Sequence, residues 1–222
     1  MHWIQYHILD QLINNKSCRF AELKPDGVES NLFQWHLKHL IQQGLVAKLP
    51  DKQGYELSAK GLYFADRLSS TLKTARVQPK IITIVVLRNS QKEFLLHTEH
   101  RQPYIDTARF PAGKVHNDEN LPAAAQREVR EKLGFAVDNL TPAGAVHMRI
   151  RLRGELTSEF YGFVFTGNYD GELPANALWY GENSDAPLMP SVREIMDYVA
   201  AGEREMREYE IAADAVAKTR IK

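Results

Sequence analysis

Residues 113–135, GKVHNDENLPAAAQREVREKLGF, constrain the fold more than any other stretch of the chain. A glycine opens a loop, an acidic turn follows, and an amphipathic helix over 121–133 is closed by Gly134. Pro122 suits the first helical turn, where a missing N–H costs nothing, and Leu121, Ala125, Val129 and Leu133 recur on one face at helical spacing. That stripe has to lie against a core. Glu128 and Glu131 are three residues apart, so both carboxylates project from nearly the same side of the helix. Two carboxylates on a rigid helix beside a loop can hold Mg²⁺, which takes oxygen ligands and completes its shell with water and substrate phosphate.

The order is Gly, five residues, Glu, seven residues, Arg-Glu-aliphatic-x-Glu, then Gly and a hydrophobic residue; Gly113, Glu119, Arg127, Glu128, Val129, Glu131, Gly134 and Phe135 all fit it. This pattern resembles the Nudix box, and the resemblance extends over about residues 78–200. It implies an α/β/α sandwich in which the box forms a loop-helix-loop around a divalent metal, Mg²⁺ or Mn²⁺. It also implies hydrolysis of a nucleoside diphosphate linked to another group, by water attack at phosphorus. Carried over by position, the resemblance makes Glu128 and Glu131 metal ligands, with Glu128 also a water activator. Arg127 would orient the carboxylates, Glu119 would support the loop, and the carbonyl of Ala112 would complete the metal shell.

Two positions depart from the family pattern. Ala112 stands where a glycine is usual, which restricts the backbone and leaves the carbonyl. Lys132 stands where another metal-binding Glu is usual, a change of two charge units and the loss of an oxygen donor. At an effective dielectric of about 20, a unit charge about 4 Å from another is worth roughly 4 kcal/mol, so a lysine aimed into the site opposes a second metal. Lysine is also long enough to swing toward Glu128, four residues earlier, or toward solvent. Two functions follow: a hydrolase weakened by Lys132, or a metabolite sensor without catalysis that regulates transcription. Glu159, Glu182 and Asp185 are candidates for an acid outside the box. His147, Arg149, Arg151 and Arg153 alternate along a predicted strand, and Arg149 and Arg151 are the candidate contacts for a diphosphate.

The N-terminal part has a different character. Helical periodicity in Ile4, Ile8 and Leu12 predicts a first helix, residues 20–23 a short second one, and Ser30 to Gly44 the cap positions of a third. On the third helix Phe33, Leu37, Leu40 and Ile41 share one face, opposite Asn31, Gln34, Trp35, Lys38 and Gln42. His36 and His39 read as helix-flank residues, since no further ligand stands at a matching spacing. Alternating LVAKL, a PDKQG turn and YEL predict a β-hairpin, and SAKGLYFADRL a closing helix. Three helices and a hairpin over about residues 1–70 resemble a winged helix-turn-helix. That resemblance makes Asn31, Gln34, Trp35 and Lys38 a major-groove surface and puts Lys48 and Lys52 of the wing on phosphate. A module for dimerisation or packing is the alternative, and the exposed Trp35 suits it.

The whole reads as α+β, a winged helix-turn-helix over 1–76 followed by a Nudix domain with C-terminal helices over 77–222. Residues 1–76 hold ten Lys or Arg against seven Asp or Glu in a chain of zero net charge, which permits a face for double-stranded DNA. A single cysteine, Cys18, allows no intrachain disulfide, and the apolar run 81–87 is far shorter than the roughly 20 residues of a membrane span. The expectation is a cytoplasmic protein without a membrane partner, and a homodimer if symmetric DNA half-sites are read.

Overall fold

The stripe of Ile4, Ile8, Leu9, Leu12 and Ile13 winds into α1 (Trp3–Asn14) and is fully buried. The computed structural model describes residues 1–50, 54–68, 78–202 and 204–213, in two compact units. The first comprises Met1–Gln78 with two later segments, His100–Ile105 and Arg151–Ser158. Those two segments were not foreseen in a division at residue 76, because nothing local in sequence marks a non-local pairing. One such tie is the Gln102 N–H, which donates to the Ile13 carbonyl at 2.9 Å.

In this unit α1 is followed by α2 (Phe20–Leu23), α3 (Ser30–Gln42), the antiparallel pair β1 (Val46–Lys48) and β2 (Tyr55–Leu57), and α4 (Ala59–Arg67). Phe33, Leu37 and Leu40 of α3 are buried with the apolar stripe of α1. Glu29, without a side-chain bond, is the N-cap of α3, and Ser30 is its first helical residue rather than its cap. His36 is not on a flank: it is 4% exposed and stacked on His2 with ring centroids 4.2 Å apart. Its spacing from Phe33 and Leu40 is that of the apolar face.

The second unit comprises Pro79–Glu99, Asp106–Ile150 and Glu159–Lys222. Its elements are β3 (Lys80–Arg88), β4 (Phe94–Thr98), β5 (Ala108–Arg109), β6 (Ala112–Lys114), α5 (Leu121–Leu133), β7 (Thr141–Leu152), β8 (Glu155–Asn168), β9 (Ala177–Tyr180), α6 (Val192–Ala201) and β10 (Arg207–Ala212). They build a mixed sheet in the order β10-β7-β8-β3-β4-β5, with β6 added to β3 and β9 to β4. Central β3 runs parallel to β8 from Lys80↔Phe160 to Arg88↔Asn168, and antiparallel to β6 with Thr83 opposite Gly113. Period-two alternation splits β3 between two layers. Val85 and Leu87 pack with Ala125, Val129 and Leu133 of α5, while Ile82 and Ile84 line a space shared with Val192 and Ile195 of α6. Among the described residues no helix is long and apolar enough to cross a membrane.

Candidate functional site

Strand β6 leads into the loop before α5, and local chemistry fixes both ends of that helix. Asn120 caps it by accepting from the Ala123 N–H at 2.9 Å, Pro122 stands in the first turn, and Gly134 ends it at φ 78°. The left-handed conformation of Gly134 costs a glycine nothing and lets its N–H reach the Arg130 carbonyl.

Arg127 organises the residues between these ends. Its Nε and Nη2 donate to the two carboxylate oxygens of Glu119, both at 2.8 Å, and Nη2 also donates to the Lys114 carbonyl at 2.9 Å. Its Nη1 donates to Glu128 Oε1 at 2.7 Å and lies 3.4 Å from Glu131 Oε2. One guanidinium thus binds the loop, the strand and two helix carboxylates, a use of the planar fork that lysine could not reproduce. Glu119 receives in addition the His116 N–H at 3.1 Å. The Arg127 bond first, then the His116 bond, hold the Glu119 carboxyl down at about 2.

Glu128 is 4% exposed, and its carboxylate occupies the space where a Cβ on Gly113 would stand. The glycine opening the loop is therefore required by the carboxylate packed against it. Glu131 is exposed, and so is Lys132. Among the described residues the Lys132 side chain has no ion pair. His97 on β4, 3% exposed, is pushed down to about 4 by burial first and then by Arg109, with Lys132 a smaller contributor. Arg109 itself bonds Glu99 at 2.7 Å.

Among the described residues no three His, Cys, Asp or Glu side chains are gathered as a ready metal cage. The donor set of this loop and helix is two carboxylates, Glu128 and Glu131, beside the backbone of Ala112. That set is all oxygen and fits one hard divalent cation whose remaining positions are filled by water and phosphate. Arg127 occupies Glu128 Oε1, which leaves Oε2 to face such a cation.

The other expected residues fall in distinct places. His147, 5% exposed, lies between Glu159 at 3.1 Å and Glu208 at 3.7 Å, stacked on Tyr161 at 4.2 Å. Arg149 reaches Glu208 at 3.4 Å and Glu210 at 3.8 Å. Acids of β8 and β10 therefore match the charge of this strand face, and Arg149 meets a diphosphate only by exchanging partners. Arg151 bonds the Gly154 carbonyl and belongs to the first unit. Glu182 and Asp185 are exposed. On α3, Asn31, Gln34, Trp35 and Lys38 are all exposed, with Trp35 stacked on His39 at 5.6 Å, and Lys48 is exposed at the end of β1. Lys52 lies outside the described residues. His97, His116 and the Lys114 carbonyl were not anticipated. The only signal for them was proximity to the box in sequence, and for His97 not even that.

Residues 78–208 match the family model of the NUDIX domain. No curated protein matches the chain. Among solved structures, the NUDIX domain of Shewanella oneidensis NrtR complexed with ADP ribose is similar at 13% identity, over 57% of this chain and 89% of that one, with a TM-score of 0.47. The MutT protein of Bacillus halodurans is similar at 21% identity, over 61% and 92%, with a TM-score of 0.48. The MutT protein of Methanosarcina mazei is similar at 23%, over 58% and 96%, with a TM-score of 0.45. The assignment rests on the family model, which spans more than half of the chain and takes in every residue of the box: the chain belongs to the Nudix family.

Proposed function

We propose that the chain is a single-metal Nudix hydrolase of a nucleoside diphosphate-linked metabolite, joined to a winged helix that binds double-stranded DNA. The observation that carries the catalytic half is the Arg127 cluster. Glu119, Glu128 and Glu131 are gathered on one guanidinium, and exposed Lys132 forms no ion pair with them among the described residues. A binding pocket without chemistry has no need of that arrangement. Glu128, Glu131 and the Ala112 carbonyl would hold Mg²⁺ or Mn²⁺, which when bound supplies charge stabilisation to the phosphoryl oxygens. Arg127 keeps Glu128 in place, and the Glu128 carboxylate takes a proton from the attacking water. As the new O–P bond forms, the bridging P–O bond breaks and its electron pair leaves with the second phosphate. Arg149 is the candidate contact for that diphosphate.

The test is phosphate-releasing hydrolysis of nucleotide sugars, dinucleotides, ADP-ribose and nucleoside triphosphates with Mg²⁺ or Mn²⁺, comparing wild type with Glu128→Gln and Lys132→Glu. Wild-type turnover abolished by Glu128→Gln supports the hydrolase. Silence in the wild type with turnover restored in Lys132→Glu supports the second reading, a metabolite sensor acting on transcription, which the unusual cation at position 132 favours.

The DNA-binding half is supported by the exposed face of α3, where Asn31, Gln34, Trp35 and Lys38 stand opposite buried Phe33, Leu37 and Leu40. Affinity for double-stranded DNA should fall with salt, and Lys38→Glu should lower it and flatten that dependence. Unchanged affinity in the variant removes this half of the reading. A homodimer in the cytoplasm is the assembly and location consistent with paired half-sites.

A further inference from the structure

Past the C-terminal ends of the parallel pair β3 and β8, a polar cavity of about 420 Å³ opens on the α6 side of the sheet. Strand register builds its floor: Val86 lies beside Thr166, and Arg88 beside Asn168. Alternation turns these residues away from Val85 and Leu87, which face α5 and the box helix. Asn139, Thr141 and Val199 complete the wall. A neighbouring cavity of about 190 Å³ shares Thr141, Thr166 and Val199 and extends to Arg204. The two make one groove with an arginine at each end, of the size in which small molecules bind.

The chemistry of the lining is one-sided. Among the described residues no carboxylate lines either cavity, in a chain with as many acidic as basic residues. The Arg88 guanidinium carbon sits 4.5 Å from the centre of the Phe94 ring, which holds it in place, and its Nε is buried without an acceptor. A buried donor left unpaired carries a desolvation penalty that an incoming acceptor removes. Asn139 and Asn168 add amide donors, and Thr166 adds a hydroxyl that donates to the Thr141 carbonyl only at 3.5 Å. Several donors, two cations and no fixed acid form a lining for tetrahedral anionic oxygens.

The geometry points to this groove as a binding site for a small molecule carrying two phosphate groups, separate from the carboxylates around Arg127 and on the opposite layer of the sheet. Arg88 and Arg204 take the two anionic ends, while Asn168 and Thr166 bind the phosphate seated at Arg88.

Inorganic pyrophosphate titrated into the full chain in the presence of EDTA tests the site, because chelation removes metal-dependent binding at the carboxylates. Calorimetry should give saturable binding, and the amide resonances of Arg88, Asn139 and Asn168 should shift. Arg88→Gln should weaken binding at least tenfold and Arg204→Gln by a smaller factor. Asn168→Asp, which sets a carboxylate beside Arg88 at almost no change in size, should abolish it. Asn168 and Arg204 are exposed, so these two variants carry the test even if Arg88→Gln disturbs its packing on Phe94. Glu128→Gln reads the other site and should leave pyrophosphate binding intact. Absence of saturable binding, binding indifferent to Asn168→Asp, or binding lost in Glu128→Gln would overturn the assignment.

Discussion

The carboxylate of Glu128 fills the volume that a side chain on Gly113 would need, and Arg127 Nη1 pins it there at 2.7 Å. Loop and helix are thereby interlocked through one residue pair. Gly113→Ala forces the carboxylate out of its seat and breaks the Arg127 bond. Overpacking of this kind costs about 1–3 kcal/mol in stability, to be read from chemical denaturation. On the proposed function, moving Glu128 by about 1 Å should lower turnover by about two orders of magnitude. Full activity in Gly113→Ala would show that Glu128 works from another position.

Arg127 also sets the acid behaviour of the loop. Glu119 is held at about 2 in the folded chain by Arg127 and by the His116 N–H, below its ordinary value of 4.5. A depressed carboxyl stabilises the fold above the unfolded value and loses that contribution as pH falls through the folded one. The Glu119 contribution is therefore complete above about 4.5 and disappears toward about 2. In Arg127→Met the carboxyl should titrate much closer to 4.5, and the acid limb of the stability curve should flatten over that window. Carboxyl carbon NMR of Glu119 in both proteins measures it directly. An unmoved titration would assign the shift to the backbone bond instead.

Part of this arrangement was legible in the sequence. The bounds expected for the box helix, 121–133, coincide with α5 because Asn120, Pro122 and Gly134 act locally, each through its own backbone geometry. KIITIVVLR and FLLHT, two apolar runs about a polar turn, are equally plain in the sequence and form β3 and β4. Short β5, β6 and β9 were not, since two to four residues carry no period and owe their conformation to partners far along the chain. The alternation of His147 and Arg149 was visible, but the Glu208 and Glu210 that neutralise this face stand some 60 residues away on β10. Equal spacing on a helix suggested equal roles for Glu128 and Glu131, yet Glu128 is buried and Glu131 exposed. Only the position of β6 beneath α5 distinguishes them.

Tyr198 holds the far end of β7. Its hydroxyl accepts from the Ala145 N–H at 3.1 Å and donates to the Glu205 carbonyl at 2.8 Å, with the ring fully buried. Gly144, at φ 122°, makes room for it, since a Cβ there would overlap the hydroxyl. Tyr198→Phe removes one oxygen and leaves a backbone donor and acceptor without that partner, at a cost of about 1–3 kcal/mol. Hydrolysis measured on the folded variant should be unaffected, because Tyr198 touches none of the residues around Arg127. Urea denaturation with an unchanged midpoint would mean that water replaces the hydroxyl.

Lys132 has a consequence that can be measured without any substrate. His97 is pushed down to about 4 chiefly by burial, then by Arg109, with a further contribution from Lys132. The unfolded chain, with its imidazole near 6.5, takes up a proton before the folded chain does. Stability is therefore complete above about 6.5 and falls as pH drops toward about 4, by about 3 kcal/mol in all. Lys132→Glu removes a repelling cation and supplies an attracting anion. The His97 titration followed by ring-proton NMR should move upward while staying below 6.5, because burial remains. The loss of stability between pH 6.5 and 4 should shrink accordingly. If the His97 titration does not move, the Lys132 charge is directed elsewhere. The case for a carboxylate cluster undisturbed by that lysine would then have to rest on hydrolysis alone.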